Sequence, residues 1–195
     1  SVPSLEYNNV DLGLSVKWAT CNVGASSPEE SGCYFAWGEV APKTIYNYST
    51  YKWLKGVVWD EEYGRWTTNP YGSYTKYCID SDDGTVDNKT FLDPEDDAAT
   101  VNMGDLWRMP TKAELQELID GCIWTYTENY NGTGVKGTIV ESKINTNKMF
   151  LPATGVVLDD SYFTNPYSNR SDADYMSNEL SSNSNGFWLL FFDAN

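Results

Sequence analysis

The chain has 195 residues and a mass of 21.9 kDa, with 13 Lys and Arg, 28 Asp and Glu, no histidine and a formal net charge of −15. Hydrophobic residues make up 41% and aromatic residues 15%, which excludes an acidic disordered chain and is typical of a globular protein. A pI near 4.2 argues against nucleic acid and anionic membranes as partners. At this length we expect a single domain, 1–195, with an acidic and aromatic insertion at about 40–97.

The apolar stretches of the chain are short. The longest apolar stretch, 187–192, is far shorter than the roughly 18 residues that a membrane-spanning helix needs, so we expect no such segment. The chain begins at Ser1 without a Met or a charged leader, which suggests either that a leader was removed or that the sequence was trimmed, and both are compatible with secretion. Four cysteines without CxxC spacing disfavour a zinc site and leave open either buried thiols or one of three disulfide pairings. They are Cys21, Cys33, Cys78 and Cys122.

The first elements in chain order are extended. Apolar residues alternate with polar or small ones at Val10, Leu12, Leu14, Val16 and Trp18. This alternation predicts a strand pair with a turn near Gly13. Residues 28–30 predict the first turn of a short helix, and 40–77 predict long loops with short hairpins, the kind of segment that often carries function.

The clearest helix signal follows Pro110. Thr111 and Glu114 form a capping box, and the apolar residues from Leu115 to Cys122 recur at helical spacing, so a helix is predicted over 112–121. Short strands are predicted over 122–130, 134–142, 148–151 and 187–192. Between 160 and 186 the chain is dominated by Ser, Asn, Asp and Tyr.

An acidic centre at 80–97 suggests a calcium site, because this hard cation is bound by several carboxylate and carbonyl oxygens in a flexible loop. The candidate ligands are Asp80, Asp82, Asp83 and Asp87. The spacing departs from the EF-hand pattern after Gly84, because no Glu stands at the closing position. The alternative is a solvated loop whose Asp side chains cap turns. The carboxylates at 93–97 have the same two interpretations, and any calcium would be structural, with no cofactor required.

Catalysis is not expected. Without histidine the chain has neither a Ser-His-Asp nor a Cys-His arrangement, and it lacks the commonest general base. Paired carboxylates of the glycosidase kind are conceivable, but among 28 acidic residues such a pair arises by chance. We therefore expect a protein that is not an enzyme.

The aromatic loops suit recognition of carbohydrate or protein, because Trp and Tyr faces stack on sugar rings and supply rigid contact area. The first candidates are Trp53, Trp59, Trp66, Tyr71 and Tyr74, and the second group lies in the polar C-terminal stretch at Tyr162, Tyr167, Asn169, Tyr175 and Asn178. The alternative is that large aromatic side chains hold down loops without secondary structure.

Four blocks carry a family resemblance: VDLGLSVKWATCNVGA at 10–25, YFAWGE at 34–39, DNKT leading into DPEDDAA over 87–99, and WRMPTKAE at 107–114. Together they resemble the major-paralogous-domain family (FISUMP) of Bacteroidetes surface proteins, over about 10–154. The resemblance implies an α+β, C-type lectin-like fold with small twisted antiparallel sheets, one or two helices and long loops. It also implies a secreted or outer-membrane surface-anchored protein, such as a lipoprotein or adhesin.

Several departures limit what the resemblance implies. The calcium-dependent sugar motifs Glu-Pro-Asn, Gln-Pro-Asp and Trp-Asn-Asp are absent, so mannose or galactose binding is not implied. The 108–114 block also resembles formylglycine-generating enzymes, but their late cysteine pair has no counterpart after Cys122. The family's Trp-Ser-Ser segment reads Tyr-Met-Ser-Asn at 175–178, and its closing apolar strand with an Arg-Pro is not found before Asn195. Either that strand lies beyond the given residues or this member has lost it, and its loss would leave a sheet edge open.

The predicted function is non-enzymatic binding of a glycan or a protein at the cell surface, through the aromatic and polar loops. One alternative is a structural component, such as a fimbria-tip or assembly subunit, which would bury an apolar edge against a partner chain. Another is a retroelement-diversified variable protein, because the polar bias of 160–186 is also typical of that class. The sequence leaves the ligand and the oligomeric state open.

Overall fold

The computed structural model describes residues 1–62, 64–157, 172–181 and 187–192, with backbone only at 65–72, 187, 188, 191 and 192. These residues form a small α+β protein with two helices, α1 (Ala98–Met103) and α2 (Lys112–Gly121). The strands are β1 (Asn9–Val10), β2 (Trp18–Ala19), β3 (Leu54–Asp60), β4 (Arg65–Tyr74), β5 (Cys122–Thr127), β6 (Gly137–Ser142), β7 (Lys148–Pro152), β8 (Ala173–Leu180) and β9 (Phe187–Phe192).

All strands of the described part pair in antiparallel fashion within small sheets. The sheets are β1-β2, β3-β4, the meander β5-β6-β7, and β8-β9. The predicted N-terminal strand pair is confirmed, and Gly13 lies in its turn with φ of 73°, a backbone conformation that glycine adopts without steric cost. The predicted hairpin within 40–77 and the strands after α2 are confirmed too.

Helix α2 forms where the capping box predicted it. The Thr111 hydroxyl accepts from the Glu114 backbone N–H at 3.2 Å, and the Glu114 carboxylate accepts from the Thr111 N–H at 2.8 Å. Leu115 and Leu118 lie on the buried face, and the helix ends at Cys122, whose backbone is extended. Because the capping box and the apolar face are both visible in the sequence, this helix could be predicted.

Three elements differ from the prediction. Residues 28–30 form a turn and not a helix, closed by one hydrogen bond from the Glu30 N–H to the Ser27 carbonyl at 3.2 Å. Helix α1 was not predicted, because its six residues are too few to show a helical period and its cap is the side chain of Asp97. Strand β8 was not predicted either, because its polar residues become half-buried or buried only through pairing with β9.

The core of the described part has two clusters. The larger one joins the N-terminal strands, α2 and the meander, and contains Leu12, Leu115, Leu118, Cys122, Val140, Met149 and Leu190. The smaller one anchors the 40–97 insertion and contains Trp37, Tyr77, Leu92 and Leu180. The Trp37 indole donates to the Ser177 carbonyl of β8 at 2.8 Å. This hydrogen bond links the smaller cluster to the C-terminal hairpin.

The four cysteines are free thiols, so none of the three possible disulfide pairings is formed. Burial raises the pKa of Cys78 and of Cys122, which keeps both thiols protonated at neutral pH. Among the residues that the structure describes, no helix combines the length and apolar character needed to cross a bilayer.

Candidate functional site

A groove with a volume of about 670 Å³ runs beside β7, β8 and α2. We call it the core groove and define it by Trp18, Leu115, Leu118, Met149, Asp174 and Leu190, all of which line it. Four of these residues belong to the larger core cluster and are at most 5% exposed. The floor of the groove is therefore the hydrophobic core itself.

The groove follows strand edges, not a sheet face. Side chains of a strand alternate between its two faces, so a site on one face is lined by every second residue. Here consecutive residues line the groove, at 149–151 of β7 and at 174–176 of β8. β7 pairs with β6 alone, and over 174–176 β8 pairs with β9 alone, among the described residues. Backbone edges of both strands thus border the groove.

Asp174, which lines the groove, and its neighbour Asp172 form no ion pair within the described part of the chain. Burial and the neighbouring charge of Asp172 raise the pKa of Asp174. Asp172 itself has a buried Oδ1 that accepts no hydrogen bond within the described part of the chain. Burial of the Asp174 carboxylate is therefore not compensated by a donor or a cation among the described residues.

The other polar groups at the groove differ in how well they are satisfied. The indole Nε1 of Trp18 is buried and has no acceptor among the described residues. In contrast, Tyr175 accepts from the Asn22 amide at 3.3 Å and donates to the Pro152 carbonyl at 3.2 Å. Glu114, at the rim, is held by Arg108 through contacts of 2.8 and 2.5 Å. Among the described residues that line the groove, a buried side-chain polar atom without a partner is thus found at Trp18, and Asp172 supplies another beside the lining.

A second, smaller cavity of about 460 Å³ lies beside α1. We call it the Asn178 pocket, and it is lined by Asn178, Trp107, Asp105, Arg108 and Thr100. Asn178 is 8% exposed, and its Oδ1 accepts no hydrogen bond in the described part of the structure. A buried amide oxygen without a donor favours a bound water or ligand hydroxyl.

The predicted aromatic candidates are distributed over several environments. Trp53 donates from its indole to the Gly38 carbonyl at 2.9 Å, and the Lys52 ammonium lies 4.0 Å from its ring centre. Its ring also packs edge-on against Tyr77 at 5.6 Å. These contacts already occupy much of the surface with which Trp53 would stack on a sugar.

The remaining candidates fall into three groups. Trp59 of β3 is opposite Trp66 of β4, and Tyr74 ends β4, where burial raises its pKa. The side chains of Trp66 and Tyr71, and all of Tyr162, Tyr167 and Asn169, lie outside the described residues. Tyr175 and Asn178 are the two candidates that the structure places at a cavity, the first at the core groove and the second at the Asn178 pocket.

The predicted calcium ligands are partly engaged by the backbone. The Asp87 carboxylate accepts from the N–H groups of Tyr77, Cys78 and Lys89 at 2.9 to 3.1 Å. The Asp80 carboxylate accepts from the Asp82 N–H at 2.9 Å. Asp83 closes this turn, donating its N–H to the Asp80 carbonyl at 3.1 Å. In the described part of the chain no three acidic or thiol side chains converge as metal ligands, and calcium binding stays a prediction.

The second acidic cluster, 93–97, binds lysines and caps a helix. Asp93 pairs with Lys76 and Lys89, both at 2.5 Å, and Asp96 pairs with Lys76. Asp97 accepts from the N–H groups at the start of α1. Ammonium groups and backbone donors thus contact these carboxylates, and calcium binding at 93–97 stays a prediction.

Comparison with known proteins adds no relative: no family model, no curated protein and no solved structure matches this chain. The family resemblance of 10–25 and 107–114 therefore stays an expectation, as does the C-type lectin-like form of the α+β fold.

Sequence reasoning missed most of the residues at the two cavities. Asp172 and Asp174 lie in a polar stretch where nothing local distinguishes them from other Asp residues. Trp18 and Trp107 do lie within the blocks that carry the family resemblance, and that is the one signal that singled them out.

Proposed function

We propose that the protein is a non-enzymatic binding module of the bacterial envelope, and that its core groove receives a segment of a protein ligand. The observation that carries this proposal is the contact between the groove and the hydrophobic core through Leu115, Met149 and Leu190. Covering the part of this apolar floor that remains partly exposed, at Trp18, Leu151 and Met176, with apolar side chains is favourable by roughly 25 cal/mol per Å² buried. Sugar hydroxyls would lose hydrogen bonds at the same floor.

The dimensions and the borders of the groove agree with this use. A volume of about 670 Å³ lies within the range of roughly 300–1,000 Å³ usual for ligand sites. Backbone edges at 149–151 and 174–176 offer hydrogen-bonding groups that a polypeptide can match. The same groove would serve an assembly subunit, and its ligand would then be another envelope protein.

Binding is favoured over catalysis by the state of the carboxylates. A raised pKa, as at Asp174, is common in active sites. The other carboxylate that lines the groove, Glu114, is committed to Arg108 and to the helix cap, and hydrogen bonds from Arg108 hold its pKa below the usual range. Of the two carboxylates that line the groove, one is thus already committed, so the lining offers no free pair of the kind that a glycosidase requires.

The proposed fold and location rest on the resemblance. The small antiparallel sheets and the two short helices agree with a C-type lectin-like form. A secreted or surface-anchored envelope protein is what the resembled family implies, and a net charge of −15 fits a partner that is neither nucleic acid nor an anionic membrane.

The test is selection of a phage-displayed random decapeptide library on the immobilised protein, followed by affinity measurements with the selected peptides. Ala19→Trp, which adds bulk at the groove, should weaken their binding at least about tenfold. Ile123→Trp adds the same side chain on β5, away from the groove, and should leave binding unchanged. Failure to select any peptide, or equal binding to both variants, would remove the proposal.

A glycan is the second candidate, and the Asn178 pocket is the observation that favours it. A sugar hydroxyl would satisfy the Asn178 oxygen, Trp107 would offer a stacking face and Asp105 a polar contact. The test is an array of host and dietary glycans and mucins, probed with the wild type and with Asp105→Ala, in calcium and in chelator. Binding that is lost in Asp105→Ala supports this site, and loss in chelator supports calcium at 80–87. A blank array removes the glycan.

A further inference from the structure

Resting on the proposed function, we infer that the ligand segment binds in an extended conformation as an added strand between β7 and β8, and that it presents a Lys or Arg side chain to Asp174. The occupant is a segment of a partner polypeptide with alternating apolar residues. Three properties of the core groove carry this inference: its bordering edges, its size and its uncompensated charge.

The edges come first. β7 and the 174–176 part of β8 each pair along one side within the described chain, and both border the same groove. An unpaired strand edge presents a row of N–H and C=O groups that pairs readily with another extended chain. A segment lying between β7 and β8 can form hydrogen bonds with either edge, which is the strand-addition mode of peptide recognition.

The size fits a strand of about four residues. Strands lie about 4.8 Å apart, sheets pack about 10 Å apart and a strand rises about 3.3 Å per residue, which gives roughly 160 Å³ for each residue. The groove of about 670 Å³ thus holds about four residues, close to the five residues of β7. With a two-residue period, one set of side chains faces the partly exposed apolar lining at Trp18, Leu151 and Met176.

The charge specifies the rest of the ligand. Asp174 lines the groove, the neighbouring Asp172 has a buried carboxylate oxygen without a donor, and neither forms an ion pair among the described residues. Arg108, which also lines the groove, is occupied by Glu114, and Lys17 makes no ion pair among the described residues. A Lys or Arg on the added strand would supply the missing donor, and charge-assisted hydrogen bonds to carboxylates are the strong ones. The long-range field of a chain with net charge −15 would also steer a cationic segment towards it.

The first experiment examines the sequences of the decapeptides selected on the wild-type protein. We expect alternating apolar residues with a Lys or Arg on the strand. Asp174→Asn should weaken binding of the best peptide about tenfold. A version of this peptide with Gln in place of its Lys or Arg should bind the wild type and Asp174→Asn equally. Asp120→Asn, at an exposed carboxylate at the end of α2, is the matched control and should have no effect.

Hydrogen exchange gives the second readout. Peptide binding should slow exchange of backbone amides at 149–151 and 174–176, which a peptide held by side chains alone would not do. Peptides that bind in a groove-dependent way without a cation preference, or without protection of these amides, would overturn this inference and leave the proposed function standing. Selection of no peptide would overturn both.

Discussion

The phenol of Tyr77 donates a hydrogen bond of 2.8 Å to Oδ2 of Asp96, and both side chains are buried. The ammonium of Lys76 lies 2.6 Å from the same oxygen, and that of Lys52 lies 2.9 Å from Oδ1. Burial opposes ionisation of Asp96, but the hydrogen bonds from Lys76, Lys52 and Tyr77 outweigh it and hold its pKa below the usual range. This contact joins two parts of the 40–97 insertion, the segment around Tyr77 and the turn that precedes α1.

Replacing Asp96 by Asn should destabilise the protein by about 3 kcal/mol, because two ammonium groups lose their shared buried partner. The measurement is the free energy of unfolding in urea at pH 7. Asp82→Asn, at an exposed carboxylate of the neighbouring loop, is the control and should change it by less than about 0.5 kcal/mol. Similar losses in both variants would contradict a special role for Asp96.

Acid should weaken the wild-type protein more than the Asp96→Asn variant. The pKa values of Asp96 and Glu114 are lowered in the folded state, so their stabilisation is complete above the ordinary carboxyl pKa of about 4 and is lost as pH falls through the lowered values. We expect the urea midpoint of the wild type to drop more steeply below about pH 4 than that of the variant. Parallel curves would show that Asp96 is not the titrating group.

Asp174→Asn should stabilise the ligand-free protein at neutral pH. Burial and Asp172 raise the pKa of Asp174 in the folded state, so its ionisation costs stability once pH has risen through that value. The urea midpoint of the variant should exceed that of the wild type at pH 7, and the difference should vanish near pH 3 (roughly), where the carboxyl is protonated in both states. A lower midpoint at pH 7 would mean that Asp174 has a cationic partner in solution.

Thr111→Ala should destabilise the protein by about 1 kcal/mol, because the Glu114 N–H at the start of α2 loses its side-chain acceptor. Urea unfolding measures the change. Gln116→Ala, at an exposed position in the same helix, should have an effect within about 0.5 kcal/mol of zero. A loss in the control as large as in Thr111→Ala would assign the effect to helix propensity.

Leu118→Ala should cost about 2–5 kcal/mol, because Leu118 is fully buried in the larger core cluster and its truncation leaves a cavity. The matched control is Leu106→Ala, which makes the same chemical change at a side chain that is 98% exposed and should cost less than about 0.5 kcal/mol. Equal free energies of unfolding for the two variants would contradict the core as described.

Elements with local signals were predicted from the sequence. The capping residues Thr111 and Glu114 lie three positions apart and satisfy each other, so helix α2 is specified within one turn of chain. The turn at Gly13 and the strands around it follow from alternation over ten residues. β9 follows from an apolar run, and the acidic composition predicts that nucleic acid is not a partner.

The two cavities were decided by tertiary structure alone. Asp174 and Asp96 are the same residue type in similarly polar stretches, yet Asp96 meets Lys52 and Lys76, and Asp174 meets another carboxylate. β8 became a strand because it pairs with β9, whose residues lie 7 to 19 positions further along the chain. Burial and the distances between charges depend on residues far apart in sequence, and these quantities set the pKa of each carboxylate and whether it is free to meet a ligand.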